Sequence, residues 1–362
     1  MRKFEVRCMK KLSKSTVSNI ITYGIVIIAF IVCQAMLSAG AMTRSLRGQL
    51  IPICVYIVMA VSLNLTVGVS GELSLGHAGF MSVGAFSGIV ASAWLASAFH
   101  LENTVVRLIL SMIIGGIFAG FAGVIIGIPV LRLQGDYLAI VTLAFGEIIR
   151  NVLNCLYISV DGRALHIAFS NPNIPGTVIL NGPAGAVGVS KIATFPMAFA
   201  LILFTLMVVL NLIHSRSGRA IMAIRDSRIA AESVGINITK YKMMAFVTSA
   251  VLAGMAGSLY GLNYSTVTAS KFKFDTSILV LVFVVLGGIG NIRGSIIAAA
   301  LLTVLPELLR AFSDYRMLIY AIVLILVMLA TNSPVIRSMF DRMTYRRRPG
   351  LPEEKQKGGA AE

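Results

Sequence analysis

The sequence is poor in charged residues. Only 13% of its 362 residues are Asp, Glu, Lys or Arg, whereas soluble globular proteins carry about 25%. Hydrophobic residues make up 57% of the chain, and its mean hydropathy is +0.87. This composition excludes a cytosolic enzyme, a disordered regulator and a small secreted domain held by disulfides. It predicts an all-α polytopic membrane protein.

Motifs for metal binding and catalysis are also missing. The four cysteines occur singly and the four histidines are scattered, so no metal site is expected. The chain has no G-x-x-x-x-G-K-[ST] phosphate-binding loop, no G-x-S-x-G and no H-E-x-x-H. We therefore expect it neither to bind ATP by itself, nor to hold a cofactor, nor to act as an enzyme.

The charge that is present is mostly positive. The chain has 31 Lys and Arg against 15 Asp and Glu, which gives a formal net charge of +16. The basic residues gather at both ends and between apolar runs, as expected from the excess of Lys and Arg in cytoplasmic loops of membrane proteins. The charge therefore predicts a chain embedded in a lipid bilayer and no nucleic-acid partner.

Ten apolar segments lie between the polar stretches. Several approach the ~20 residues that a helix needs to cross a bilayer. The first segment could instead be a secretory signal, but its length favours a retained helix. The segments are Ile20–Leu37, Leu50–Val69, Phe80–Phe99, Val105–Val130, Tyr137–Tyr157, Phe195–Ile213, Met243–Tyr264, Thr276–Leu286, Ser295–Phe312 and Met317–Ala330.

The basic stretches assign a side of the membrane to each part of the chain. The N-terminal segment 1–19, the loop 214–242 and the tail 332–362 are all predicted to be cytoplasmic. Even numbers of apolar segments separate them, so both termini are predicted to lie inside. The loop 159–191 is then extracytoplasmic, and residues 20–331 form one transmembrane domain.

Two glycine-rich stretches interrupt the apolar segments, at Leu63–Phe80 and Gly287–Gly294. Backbone can leave the helix at membrane depth only where protein or a water-filled cavity satisfies its polar groups. The stretches therefore predict broken or re-entrant elements lining a translocation path or, alternatively, short solvated turns and close helix packing. Candidate path residues, together with Asp136 at a helix start, are Gly71, Glu72, Ser74, Gly76, His77, Gly287, Gly288 and Asn291.

A pattern of small residues occurs twice, at Ala119–Gly127 and at Ala253–Gly261. These are the fourth and seventh segments, so they would cross the membrane in opposite senses, as in an inverted repeat. The alternative is that small residues four apart recur in any tightly packed membrane bundle. Both interpretations predict close helix packing at Gly120, Gly123, Gly127, Gly254, Gly257 and Gly261.

The loop 214–242 contains a short helical pattern from Ser217 to Asp226 and a second one that ends at Gly235. Small residues, arginines and a terminating glycine are typical of short surface helices. Such a segment is either a contact for a soluble partner or a solvated connector. The residues concerned are Gly218, Arg219, Arg225, Asp226, Ala230, Ala231 and Gly235.

Four stretches together carry a family resemblance: Leu63–Phe80, Leu131–Arg150, Gly218–Asn237 and Leu286–Ser295. In this order they resemble the LivM-type permease subunits of bacterial ABC importers for branched-chain amino acids. The resemblance implies a multi-pass protein of the bacterial inner or plasma membrane that translocates Leu, Ile or Val by alternating access. It also implies a second homologous permease, two cytoplasmic ATPase subunits that bind the ATP, and an extracytoplasmic solute-binding protein.

The resemblance also implies a role for the loop 214–242. In such importers a cytoplasmic coupling helix with the pattern Glu-Ala-Ala, three residues, Gly docks in a groove of the ATPase. The stretch from Ile229 to Gly235 keeps this spacing, with Ile229 in place of the glutamate. The loop is therefore expected to couple ATP hydrolysis to transport.

Three other functions remain open. Related permeases of the same architecture import urea, short amides or other amino acids. An ion-coupled secondary transporter would need carboxylates at the membrane midplane, whereas Glu72, Asp136, Glu147, Asp275 and Glu307 mostly lie at predicted helix ends. A non-transporting scaffold would not need broken membrane segments, which carry a structural cost.

Overall fold

The computed structural model describes residues 14–325 except 41–42, 134, 163, 170–174, 310–314, 316–317, 320 and 323. The predicted basic tail 332–362 and most of the N-terminal segment 1–19 lie outside the described residues. The chain divides into two units after Glu307, and the architecture given below is that of the first unit. In the second, Leu318, Ile322 and Ile325 are exposed helical residues.

The described part of the first unit is mostly helical. Nine of the ten predicted apolar segments contain a helix, and the tenth, Met317–Ala330, lies mostly outside the described residues. The helices are α1 (Lys14–Ser38), α2 (Arg44–Asn64), α3 (His77–Phe99), α4 (Thr104–Val130), α5 (Asp136–Asn154), α6 (Phe195–His214), α7 (Arg216–Asp226), α8 (Arg228–Ser233), α9 (Ile238–Gly261), α10 (Phe274–Gly287) and α11 (Ile292–Leu308).

Within the described residues, six helices are long and apolar enough to cross a membrane, namely α1, α2 with its continuation to Val69, α3, α4, α6 and α9. This supports a polytopic membrane protein. Helices α10 and α11 have 14 and 17 residues, fewer than the ~20 that a bilayer requires. The predicted count of ten spans, with both termini inside, therefore stays a prediction.

The all-α prediction is wrong for one part of the chain. The described part of the predicted loop 159–191 contributes most of an antiparallel sheet of order β2-β1-β3-β4-β5. Its strands are β1 (Leu156–Asp161), β2 (Ala164–Phe169), β3 (Thr177–Asn181), β4 (Ala186–Val187) and β5 (Thr266–Val267).

The sheet has a physical origin in the apolar residues of its strands. Ile158 of β1 stands opposite Ile167 of β2 and Leu180 of β3. Together they line an apolar cavity against α3 and α4. Short strands separated by Pro and Gly resemble loops in a hydropathy profile, which is why the apolar runs alone do not predict this sheet.

Helices α3, α4 and α9 form the centre of the bundle, and glycines allow their close approach. Added Cβ atoms at two of the predicted packing positions would overlap atoms of other helices. At Gly254 the atom would overlap Ala119 of α4, and at Gly257 it would overlap the carbonyl of Met81 in α3. The other four glycines also face a neighbouring helix: Gly120 faces Val251, Gly123 faces Ala250, Gly127 faces Met243, and Gly261 faces Ala85 and Ile89. The inverted repeat itself stays a hypothesis.

We expect Gly254→Leu to destabilise the protein by about 2 kcal/mol or more, because overpacking a close helix contact forces the backbones apart. The midpoint of thermal unfolding in mild detergent measures this loss. The control is Gly48→Leu, since a Cβ at exposed Gly48 would meet nothing within 4 Å. Equal midpoints for the two variants would contradict the packing role of Gly254.

Candidate functional site

The first break in a membrane helix follows α2. The chain continues from α2 as a π-helical turn, Leu65–Val69, and leaves the helix at residues 70–76 before α3 begins at His77. Glu72, Ser74 and His77 are all less than 9% exposed. Their burial favours a broken element enclosed by protein over a short solvated turn.

The backbone groups that this break releases from helical hydrogen bonding are satisfied by other helices. The N–H of Leu75 donates to Thr142 Oγ1 of α5 at 3.1 Å. The N–H of Ala78, in the first turn of α3, donates to Ser277 Oγ of α10 at 3.0 Å. A Cβ at Gly76 would overlap the carbonyl oxygen of Thr142, so glycine lets α5 approach the break closely.

The second break separates α10 from α11 and comprises residues 288–291. Gly288 and Gly290 have φ of +93° and +82°, a region that glycine enters without strain. The turn is tight, because a Cβ at Gly287 would overlap the backbone of Gly294. Asn291 stabilises the start of α11, since its Oδ1 accepts from the N–H of Gly294 at 3.3 Å.

One buried side chain joins the two breaks. Asn64 ends α2 and is fully buried. Its Oδ1 accepts from the N–H of Gly290 at 2.9 Å, and its Nδ2 donates to Ser295 Oγ in α11 at 2.9 Å. A Cβ at Gly68 would overlap Asn64 Oδ1 and Gly290, so the first break lies directly on the second.

His77 belongs to a buried hydrogen-bond network that ties the start of α3 to α2 and α9. Its Nε2 lies 2.8 Å from Ser62 Oγ. The single hydroxyl proton of Ser62 goes to the carbonyl of Met59 at 2.9 Å, so we assign the imidazole proton to Nε2, which donates. Ser249 of α9 donates to the carbonyl of Ser62 at 2.6 Å.

The segment α7–α8 is built by local capping and a small apolar cluster. Ser215 and Ser227 cap the two helices by accepting from the N–H groups of Gly218 and Ala230 at 3.0 and 3.3 Å. Gly235, with φ +82°, ends the second helix. Ala231 packs in a cluster with Ile224 and Ile238, whereas Ala230 is exposed and Arg219 donates to the carbonyl of His214 at 3.3 Å.

Arg225 connects this segment to the first break. Its Nη1 donates to the carbonyl oxygen of Gly68 at 2.9 Å and so satisfies a backbone acceptor of the π-helical turn. Asp226 Oδ1 accepts from Nε and Nη2 at 3.1 and 3.0 Å and so orients the guanidinium. The alkyl chain covers Gly71, where a Cβ would lie 2.7 Å from Arg225 Cγ.

Lys242 of α9 makes a second connection, an ion pair with Glu72. The two side chains are only 10% and 11% exposed. The predicted path residue Asp136 is exposed in the first turn of α5. No sequence motif predicts the contacts of Asn64, Thr142, Ser277 and Lys242, although each is a polar residue inside or beside an apolar run.

We expect Asn64→Leu to destabilise the protein by about 1–3 kcal/mol, because it keeps the volume but leaves the N–H of Gly290 without its acceptor. The midpoint of thermal unfolding in mild detergent is the measurement. The matched control is Asn151→Leu at an exposed position of α5, where little change is expected. An unchanged midpoint for Asn64→Leu would show that the link between the breaks does not stabilise the fold.

Fold and site define a class: a polytopic membrane protein with two adjoining breaks in its helices, the first of which is contacted by a partly exposed surface segment. The family model described as branched-chain amino acid transport system / permease component matches residues 46–328. The chain therefore belongs to this permease family, which confirms the resemblance.

Individual relatives agree with the family. The chain is 32% identical over 309 residues to the high-affinity branched-chain amino acid transport system permease proteins LivM of Salmonella typhimurium LT2 and Escherichia coli K12. The match covers 76% of this chain and 66% of those relatives, just under two thirds of their length. The permease protein LivH of Salmonella typhimurium is 29% identical over 41% of this chain and 49% of its own. No solved structure matches.

Proposed function

We propose that the chain is the membrane permease subunit of an ATP-driven importer that translocates leucine, isoleucine and valine. Membership of the permease family and the names of the LivM relatives support this cargo. The observation that carries the mechanism is the contact of the first break with both sides of α8, through Arg225 of α7 and through Lys242 of α9. The chain acts in transport and not as an enzyme, in the bacterial inner or plasma membrane.

The proposal includes partners that the chain needs. Its sequence has no phosphate-binding loop, so two separate cytoplasmic ATPase subunits bind and hydrolyse the ATP, and the chain itself needs no cofactor. LivH, named as a permease of a branched-chain amino acid system, supports a second homologous permease beside this one. An extracytoplasmic binding protein delivers the amino acid.

The surface of α8 fits a contact with an ATPase. Ile229 and Val234 are 83% and 79% exposed, more than any other large hydrophobic residue in the described part of the chain, which favours an interface. Both belong to the stretch that keeps the Ala-Ala, three residues, Gly spacing of coupling helices. We propose that they dock in a groove of the ATPase.

Movement of the docked segment would reach the membrane helices through direct contacts. Arg225 is bonded to the carbonyl of Gly68, and Gly68 lies against Gly290 of the second break. Closure of the ATPases on ATP would therefore displace both breaks together. This provides a physical route for alternating access, in which the breaks open toward one side of the membrane at a time.

We expect Arg225→Met to reduce the number of amino acids imported per ATP about tenfold, because the lost charge-assisted hydrogen bond contributes about 1.5–3 kcal/mol. Methionine keeps much of the alkyl chain that covers Gly71. The ratio is measured with the complete complex in proteoliposomes, and Arg132→Met, at an exposed residue outside the segment, is the control. A ratio equal to that of the control would refute coupling through Arg225.

The cargo is tested with the complete complex, purified with its partners and its binding protein. We expect leucine, isoleucine or valine to stimulate both ATP hydrolysis and uptake into proteoliposomes, and urea and acetamide to stimulate neither. Uptake of urea or acetamide instead would support an ATP-driven importer but contradict leucine, isoleucine and valine as its cargo. Uptake by this chain alone, driven by an ion gradient, would replace the importer by a secondary transporter.

A further inference from the structure

The ion pair between Glu72 and Lys242 is the most deeply buried charged contact in the described part of the chain. Glu72 lies in the first break, and Lys242 lies in the second turn of α9. The pair therefore connects two elements that are 170 residues apart in sequence. A charge held this far from water marks a functional position in a membrane protein more often than a structural one.

The energetics of such a pair favour positioning over stability. Taking two charges out of water costs about as much as their attraction returns, so a buried pair adds little net stability. Removing one partner, however, leaves the other charge buried without compensation, which is strongly unfavourable. The pair therefore makes one arrangement of the break strongly preferred, and that arrangement is lost when the two groups separate.

The position of the pair along the chain gives it a mechanical role. Arg225 contacts Gly68 immediately before the stretch 226–241, and Lys242 contacts Glu72 immediately after it. Both ends of the stretch that contains α8 are thus fastened to the first break. A displacement of α8 must pull on both contacts.

A buried hydroxyl two residues from Glu72 indicates which group is kept from water while residues 70–76 are closed. Ser74 is 1% exposed, and within the described residues its Oγ has no hydrogen-bond partner. A buried hydroxyl without a partner is costly. Opening of residues 70–76 would relieve this cost by admitting water or a polar cargo group.

We propose that Glu72 and Lys242 are a positioning pair that holds residues 70–76 closed, and that their separation, when α8 moves, exposes the break at Ser74. The proposal rests on the proposed function only for the source of the movement. It goes beyond that function by naming the contact that must open and the residue that becomes accessible.

The test uses the full chain in the purified complex in mild detergent, where reagents reach both faces. The four native cysteines are replaced by alanine, and Ser74→Cys reports the accessibility of the break to a polar maleimide. With the pair intact we expect slow labelling. Glu72→Gln and Lys242→Gln are each expected to accelerate labelling at least tenfold, and the exchange Glu72→Lys with Lys242→Glu is expected to restore the slow rate.

A second reporter separates this role from general loss of structure. Ser111→Cys replaces a fully buried serine in α4, near the end of α4 that follows α3. It should stay unreactive in every variant. Equal labelling of Ser74→Cys in all variants would overturn the proposal, and so would accelerated labelling of both reporters, which would show that the pair only stabilises the fold.

The movement is tested with the same reporter and the pair intact. ATP together with binding protein loaded with leucine should accelerate labelling of Ser74→Cys. If labelling is not accelerated in a complex that hydrolyses ATP, movement of α8 does not open residues 70–76. Labelling that responds to the pair in a complex that imports no amino acid would instead overturn the proposed function and leave the positioning pair in place.

Discussion

Backbone polar groups cannot remain without partners in the interior of a bilayer, where there is no water to replace a lost helical hydrogen bond. A helix that breaks there must obtain donors and acceptors from other parts of the same fold. In this protein Thr142 and Ser277 accept from the N–H groups on either side of the start of α3, and Arg225 donates to the carbonyl of Gly68. Most of the remaining architecture can be understood as the means of bringing these side chains within reach.

Small residues make that approach feasible. Packing in a membrane bundle gains little from the hydrophobic effect, because lipid tails are as apolar as the side chains, so close backbone contact and polar links between helices matter more. Gly254 and Gly257 let α9 contact α4 and α3, and Gly76 lets α5 reach the first break. Because these contacts hold α9 against α3 and α4, Lys242 in its second turn can form the ion pair with Glu72. The proposed transmission from a surface segment to the membrane helices thus depends on glycines far from that surface.

Much of the candidate site could be predicted because its signals are local. Glycine and polar residues between apolar runs identified both breaks, including Glu72, Ser74, His77 and Asn291. The spacing of small residues and arginines identified the α7–α8 segment. The partners could not be predicted, because Asn64, Thr142 and Lys242 differ from solvated polar residues only in what they contact across the bundle. The sheet could not be predicted either, because its strands are short and a hydropathy profile does not show which of them pair; the pairing of β4 with the distant β5 is decided by the tertiary structure.

The sequence by itself determined that the chain is a helical membrane protein, where its helices break, and to which permease family it belongs. These properties depend on hydropathy, glycine content and short motifs, each of which is read within one segment. The tertiary structure alone decided that the two breaks meet at Asn64 and that Arg225 and Lys242 fasten one exposed segment to the first of them. Such contacts join residues more than 150 positions apart, and packing geometry selects them from many chemically equivalent pairs.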